Sequence, residues 1–369
     1  MDIMSFIEGK IRNALIKRDR YNWYKFFSGK FIEKLNELGF ENKKAKGEDE
    51  YIKKWRALSP RVEPYSYRLY SHYCGFTPNI VPEDIGRTLI EPVLCPLKHR
   101  PAYSDKNLFP MIIGKEFVPT TVVCRIGGST LLDKDFKKAD KELTHYIGET
   151  TPLILKPTLY SNSGMRILKF EKKGDSFVST DGTKVLTKEF LMSYGRNFCL
   201  QKAIEQHPFM SQFCASSVNT IRLCVYRSVK DNQLIVTGGF FRIGKEGAVV
   251  DNAGSGGAFI GLDITTGKFA NYLIEPHFNK LSEWNGIDFS HNTFVMPYWD
   301  KVIEFAKFVG SRILHHRLIA LDIAIDPNGK PILIEFNVEF FGYFAYMLSN
   351  QEVFGKYTDE VIDYCKMMM

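Results

Sequence analysis

The sequence predicts an α+β fold. Amphipathic helical spacing fills the first part of the chain, while the remainder alternates short apolar runs with turn signals of the antiparallel-hairpin kind. Strands do not alternate regularly with helices, as a doubly wound sheet would require. Three stretches are expected: a mainly helical region over residues 1–75, a central lobe over 76–200 and a C-terminal lobe over 201–369.

From Met1 to about Leu38 the apolar positions Phe6, Ile7, Ile11, Trp23, Phe27, Phe31, Leu35 and Leu38 recur at helical spacing, which suggests about two helices closed by Gly39. Residues 41–50 are charged and read as a linker, followed by a helical, aromatic-rich section to about Tyr73. Ile90 to Pro96 reads as extended. Ser104 or Asp105 is placed to cap a short helix, Pro119 to Ile126 is β-rich, and Asp133 to Ile147 reads as a helix. Pro152 to Pro157 is a buried strand carrying Lys156 near its end. The small-residue loop Ser161, Asn162, Ser163, Gly164 leads from it into another strand. Lys188 to Tyr194 reads as a helix, and Phe198 to Ile204 as a strand or connector. Ile221 to Tyr226 and Leu234 to Arg242 pair about Asp231-Asn232, and Trp299 to Leu314 is a helix.

The strongest local signal is LDIAIDPNGKPILIEFNVE, Leu321 to Glu339. Two apolar runs flank Asp-Pro-Asn-Gly, a hairpin signature. With Asn328-Gly329 as a two-residue turn, Asp322 lies opposite Glu335, and Asn337 shares the face of Glu335. Facing carboxylates about 5 Å apart repel unless a cation lies between them. Oxygen donors on a rigid strand face suit Mg²⁺ or Mn²⁺, which commonly take one or two carboxylates together with nucleotide phosphates. Lys106, Lys156, Arg222 and Arg242 fall at the ends of expected elements, where side chains converge on an anion. No GxxxxGK[ST] motif occurs, and no GxSxG elbow.

Composition excludes several classes. Hydrophobic residues make up 44% of the 369 and charged residues 25%, ordinary for a globular protein. No apolar run reaches the ~18 residues a membrane helix needs, and charges interrupt the N-terminus where a signal core would lie. The net charge of +7 is spread among acidic residues without a nucleic-acid reader motif. Seven scattered cysteines without a CxxC pair read as reduced packing residues, so a cytoplasmic location is expected.

The ordered motifs AYSDKNLFPMIIG, VPTTVV, ILKP, FCLQKAI, SSVNTIRLCVY, VVDNAGSGGAFIGLD and LIEFNVE resemble the ATP-grasp superfamily, in particular its sugar-transfer associated branch. The resemblance covers roughly Tyr70 to Phe341. It implies an ATP-grasp fold, two α+β lobes gripping ATP, with two Mg²⁺ ions (Mn²⁺ as the alternative). By resemblance, Lys106 and Lys156 reach the phosphates, and Ser161, Asn162, Ser163 and Gly164 form the phosphate-covering loop. Gln201, Lys202, Ala203 and Ile204 line the adenine pocket, and His207 or Glu205 falls toward the ribose. Asp322, Glu335 and Asn337 match metal ligands, Arg222 and Arg242 the arginines at the transferred phosphoryl group, and Asn252, Gly256 and Gly257 a loop facing the second substrate. The implied activity is a carboxylate–amine ligase acting on small molecules, with a sugar or nucleotide-sugar among the candidates, in cell-surface polysaccharide biosynthesis. The rivals are a kinase of a hydroxyl acceptor and a non-catalytic nucleotide-binding scaffold. Oligomeric state is left open.

Overall fold

The structure is a computed structural model that describes residues 3–148, 152–159, 166–339 and 341–369. Two antiparallel sheets dominate it. The first has the order β2-β1-β6-β3-β4-β5, from β1 (Thr121–Arg125), β2 (Leu132–Asp133), β3 (Leu153–Pro157), β4 (Leu168–Lys173), β5 (Ser176–Ser179) and β6 (Phe198–Lys202). The second has the order β11-β10-β9-β8-β7-β14-β15. Its strands are β7 (Thr220–Arg227), β8 (Leu234–Ile243), β9 (Ala258–Leu262), β10 (Phe269–Ile274), β11 (Lys280–Leu281), β14 (Leu318–Ile325) and β15 (Pro331–Asn337). A small hairpin of β12 (Glu283–Trp284) and β13 (Ile287–Asp288) lies outside both.

Strand periodicity sorts the side chains. In β3 and β6, Leu153, Leu155, Phe198 and Leu200 enter one core with Leu191 and Tyr194 from the helix Lys188–Tyr194. The alternate residues Ile154, Lys156, Cys199 and Gln201 face the other way. The second sheet is buried on both faces. Ile221, Phe241, Ile260, Leu321 and Leu333 pack on the helix Trp299–Arg312 through Val302, Phe305 and Val309. Cys224, Phe240, Phe259 and Ala320 pack on the N-terminal helices and the short helix Tyr343–Leu348.

Three local expectations are corrected. Residues 3–37 form one helix, Ile3–Glu37, rather than two. Phe27, Phe31 and Leu35 make a continuous buried stripe, which outweighs the ~1 kcal/mol cost of Gly29. The helix ends at Gly39, at φ 68°, with the Phe40 N–H donating to Leu35 O at 2.8 Å. Residues 90–96 are helical rather than extended: a π-helical turn, Gly86–Ile90, runs into Glu91–Leu94. Ile90 and Leu94 are fully buried, and this burial holds the segment helical in spite of Pro92. Of the helix expected over 133–147 only Leu143–Ile147 forms. Asp133 Oδ1 instead accepts the N–H groups of Asp135 and Lys137, both at 2.9 Å, and holds a turn.

The hairpin of β14 and β15 pairs Asp322 with Glu335, by a different route than the two-residue turn. The loop has three residues, Pro327-Asn328-Gly329, closed by Asp326 N–H to Lys330 O at 2.9 Å, with Gly329 at φ 78°. That alone would set Asp322 opposite Ile334. A bulge between Ile323↔Leu333 and Asp322↔Glu335 takes up Ile334 and restores the alignment.

Candidate functional site

A cavity of about 590 Å³ lies between the two sheets. The first sheet contributes Ile154, Lys156 and Gln201, its outward-facing residues, together with Lys202, Ala203 and Ile204. Lys156 lies across from Cys199, and Ile154 across from Gln201. The Gln201 Nε2 donates to Thr121 Oγ1 at 3.2 Å. The second lysine reaches the same place by a backbone tie: the Lys106 N–H donates to Thr158 O at 3.2 Å, just past the end of β3. Asp105 caps this turn by accepting the Asn107 N–H at 2.9 Å.

The second sheet supplies a row across four strands, charged on three of them. Phe240, Arg222, Asp322 and Glu335 are successive cross-strand neighbours on β8, β7, β14 and β15. Arg222 Nε and Nη2 clasp Asp322, the latter at 2.8 Å. Arg242 bridges two acids, with Nη1 3.2 Å from Asp322 Oδ2 and Nη2 3.0 Å from Asp251 Oδ1. Lys106 Nζ closes the row at 2.7 Å from Glu335 Oε1.

Five basic residues, Lys106, Lys156, Lys202, Arg222 and Arg242, face four acidic ones, Asp251, Asp322, Glu335 and Glu339, so the lining carries a small positive excess. Burial alone would favour a neutral Asp322. The adjacent Arg222 and Arg242 overcome that and hold its carboxyl below the usual range. Burial lowers the Lys156 ammonium, and the charge of Lys106 adds to this. Burial also raises the Asp251 carboxyl, against the pull of Arg242. A polyanion entering here meets donors already assembled, with their desolvation cost met in folding.

Asp322, Glu335 and Asn337 present oxygen donors from one face of one hairpin, and such a set fits a hard divalent cation. The buried Asn337 Nδ2 has no hydrogen-bond partner among the described residues; as a donor it matches an acceptor such as a phosphate oxygen, while Asn337 Oδ1 is the atom that would face a cation. Asp322 already accepts three hydrogen bonds. A carboxylate offers about four lone-pair sites, so room for a ligand bond remains.

Lys106, Lys156, Gln201, Lys202, Ala203, Ile204, Arg222, Arg242, Asn252, Asp322, Glu335 and Asn337 are thus brought to one cavity. His207 is not among its lining residues. Its N–H donates to Ile325 O at 2.7 Å, and its Nδ1 accepts the Phe209 N–H at 3.1 Å, capping a turn of helix. Gly256 and Gly257 also lie off the lining and shape the loop instead. Gly256 has φ +88°, and a Cβ on Gly257 would stand 2.5 Å from Asp251 O. Ser161, Asn162, Ser163 and Gly164 lie outside the described residues. Sequence reasoning passed over Asp251, which is buried, paired with Arg242 and hydrogen-bonded by Thr220 Oγ1. Its place beside Asn252 was the available signal. The wall formed by Phe341, Phe344 and Ala345 carried no motif at all.

Residues 91–361 match the family described as sugar-transfer associated ATP-grasp. The chain belongs to that family. Similarity to solved ATP-grasp structures is distant. For N5-carboxyaminoimidazole ribonucleotide synthetase in its ADP complex, identity is 13% over 68% of this chain and 50% of that one, with a TM-score of 0.37. For an L-amino acid ligase from Bacillus licheniformis the values are 11%, 68%, 47% and 0.34. For D-alanine–D-alanine ligase from Bacillus anthracis they are 11%, 75%, 67% and 0.38. The ATP-grasp chain thus spans about half the length of the first two. No curated protein matches it. Its architecture is the ATP-grasp fold with a helical N-terminal region, and among the described residues no helix is long and apolar enough to cross a membrane.

Proposed function

We propose that the protein is an ATP-dependent carboxylate–amine ligase that works through an acyl phosphate, in cell-surface polysaccharide biosynthesis. The observation that carries this reading is the row Arg222–Asp322–Glu335–Lys106 facing the buried Lys156 across one cavity. Phosphoryl transfer needs positioning and charge neutralisation rather than a protein nucleophile, and the site offers those.

ATP would lie with its adenine against Gln201 to Ile204 and its phosphates at Lys106 and Lys156, under the loop of Ser161, Asn162, Ser163 and Gly164. Asp322, Glu335 and Asn337 would hold two Mg²⁺ ions (or Mn²⁺), which neutralise phosphate charge when bound. Arg222 and Arg242 would orient the substrate carboxylate and offset the charge that develops as its oxygen attacks the γ-phosphorus. The bond to ADP breaks, leaving an acyl phosphate. The amine nitrogen then attacks the carbonyl carbon, phosphate leaves, and the nitrogen loses a proton to solvent. Asn252, with Gly256 and Gly257 behind it, would border the second substrate.

Hydroxylamine trapping tests this reading. With ATP, Mg²⁺ and a suitable acid, hydroxamate and ADP should form in equal amounts, and Lys156→Met should lower kcat/KM about 100-fold or more. ADP formation driven by a hydroxyl acceptor without hydroxamate would make the protein a kinase. ATP binding without turnover, unaltered by Glu335→Gln, would make it a scaffold.

A further inference from the structure

The arginine pair divides the cavity. On one side along the sheet lie Asp322 and Glu335, with the lysines facing them. On the other lie Phe240, directly across from Arg222, and Phe259, directly across from Arg242. Their ring centroids are 5.1 Å apart. The segment that follows β15 closes this second side through Phe341, Phe344 and Ala345. The Phe344 ring is half-buried and stacks on Phe278 with centroids 5.8 Å apart. Val249 and Val250 complete an apolar enclosure.

Charge is distributed just as unevenly. Among the described lining residues, Lys106, Lys156 and Lys202 all come from the nucleotide side, and no lysine or arginine lies on the aromatic side beyond the pair itself. Of the acids, Asp251 is already engaged by Arg242 and Thr220, and Glu339, on the segment that follows β15, is paired with Arg100 at 3.4 Å. Arg222 spends Nε and Nη2 on Asp322, which leaves its Nη1 without a hydrogen bond among the described residues.

We infer that the acid substrate is a monocarboxylate with an apolar, ring-sized body, its carboxylate on Arg222 and Arg242 and its body between the Phe240/Phe259 wall and the 341–345 segment. This rests on the ligase reading above and assigns the polarity of the reaction. The activated acid is the apolar partner, and a sugar partner brings the amine. A nucleotide-linked sugar acid is excluded from this position, because its diphosphate would be desolvated beside phenylalanines with no cation among the described lining residues beyond the arginine pair.

The test uses the full chain with ATP, Mg²⁺ and hydroxylamine. Phenylalanine, 3-phenylpropionate and cyclohexanecarboxylate are compared with glucuronate and UDP-glucuronate. The apolar acids should give hydroxamate with kcat/KM at least about tenfold higher. Phe344→Ala should raise the KM for the acid about tenfold and leave the KM for ATP unchanged, while Phe344→Leu, which keeps packing on Phe278, should retain most of the activity. Preferred use of glucuronate or UDP-glucuronate, or an unchanged KM in a folded Phe344→Ala variant, would overturn the inference and leave the ligase reading standing. If no acid yields hydroxamate, the ligase reading fails. Calorimetric titration of 3-phenylpropionate into protein loaded with a nonhydrolysable ATP analogue then decides the subsite alone: Phe344-dependent binding supports it and no binding refutes it.

Discussion

Replacing Glu83 with glutamine should stabilise the protein at neutral pH and flatten its pH dependence. Glu83 is buried beneath the N-terminal helices, where Tyr70 Oη donates to its Oε1 at 3.2 Å and the Phe344 backbone N–H also contributes a hydrogen bond. Burial pushes its carboxyl from 4.5 up to about 8; the Tyr70 hydrogen bond resists, and Glu91 adds to the rise. The folded chain therefore keeps this proton at pH values where the unfolded chain has lost it. Stability is full below pH ~4.5 and declines as pH rises to about 8, at ~1.4 kcal/mol per pH unit. By pH 7 the loss from this group is about 3 kcal/mol, taken over some 2.5 pH units. Glutamine offers an amide N–H where the protonated acid offers O–H, and it does not titrate. Urea unfolding of Glu83→Gln and the parent at pH 5, 6, 7 and 8 should give curves that coincide near pH 5 and diverge above it, the variant being the more stable by ~3 kcal/mol at pH 7. Glu63, also buried and raised to about 8, is common to both proteins and cancels from the difference. Parallel curves across the range would refute the reasoning.

Two further substitutions probe the cavity. Asp322→Asn leaves Arg222 and Arg242 facing a neutral partner in a site where residue 322 is 3% exposed. Unfolding should cost about 3 kcal/mol less, and ADP formation should fall at least ~100-fold, read by urea titration and a coupled ADP assay. Gly257→Ala puts a Cβ 2.5 Å from Asp251 O and 2.9 Å from Ile243 O, backbone atoms that cannot turn aside. A loss of about 1–3 kcal/mol and a raised KM for the acid are expected, with ATP binding by calorimetry unaffected.

The segment Glu83–Glu91, which follows the N-terminal helices and carries no motif, gains a structural role through the same contacts. Glu91 Oε1 accepts the Phe341 N–H at 3.1 Å, and Tyr343 Oη donates to Gly86 O at 3.3 Å. With Glu83 at Phe344, the segment from Glu83 to Glu91 fastens the wall that closes the aromatic end of the cavity.

What the residues determine by themselves is the two-residue alternation of strands and the chemistry each face carries. Asp322, Glu335 and Asn337 share a face because strand geometry has period two, and Lys156 turns away from Leu155 for the same reason. The Asp322–Glu335 pairing was legible although its turn was not. A three-residue loop and a bulge at Ile334 shift the register in opposite senses and cancel. Segments 90–96 and 133–147 were misread because burial and an Asp133 side chain, both non-periodic influences, overrode local preference. Tertiary structure alone decided the rest. Arg222 meets Asp322 only because β7 pairs with β14 across a long crossover, and Phe344 reaches the cavity on a segment that Glu83 and Glu91, distant in the chain, help to hold. Such contacts join residues far apart in the chain, and their energy resides in neighbours that local sequence does not name.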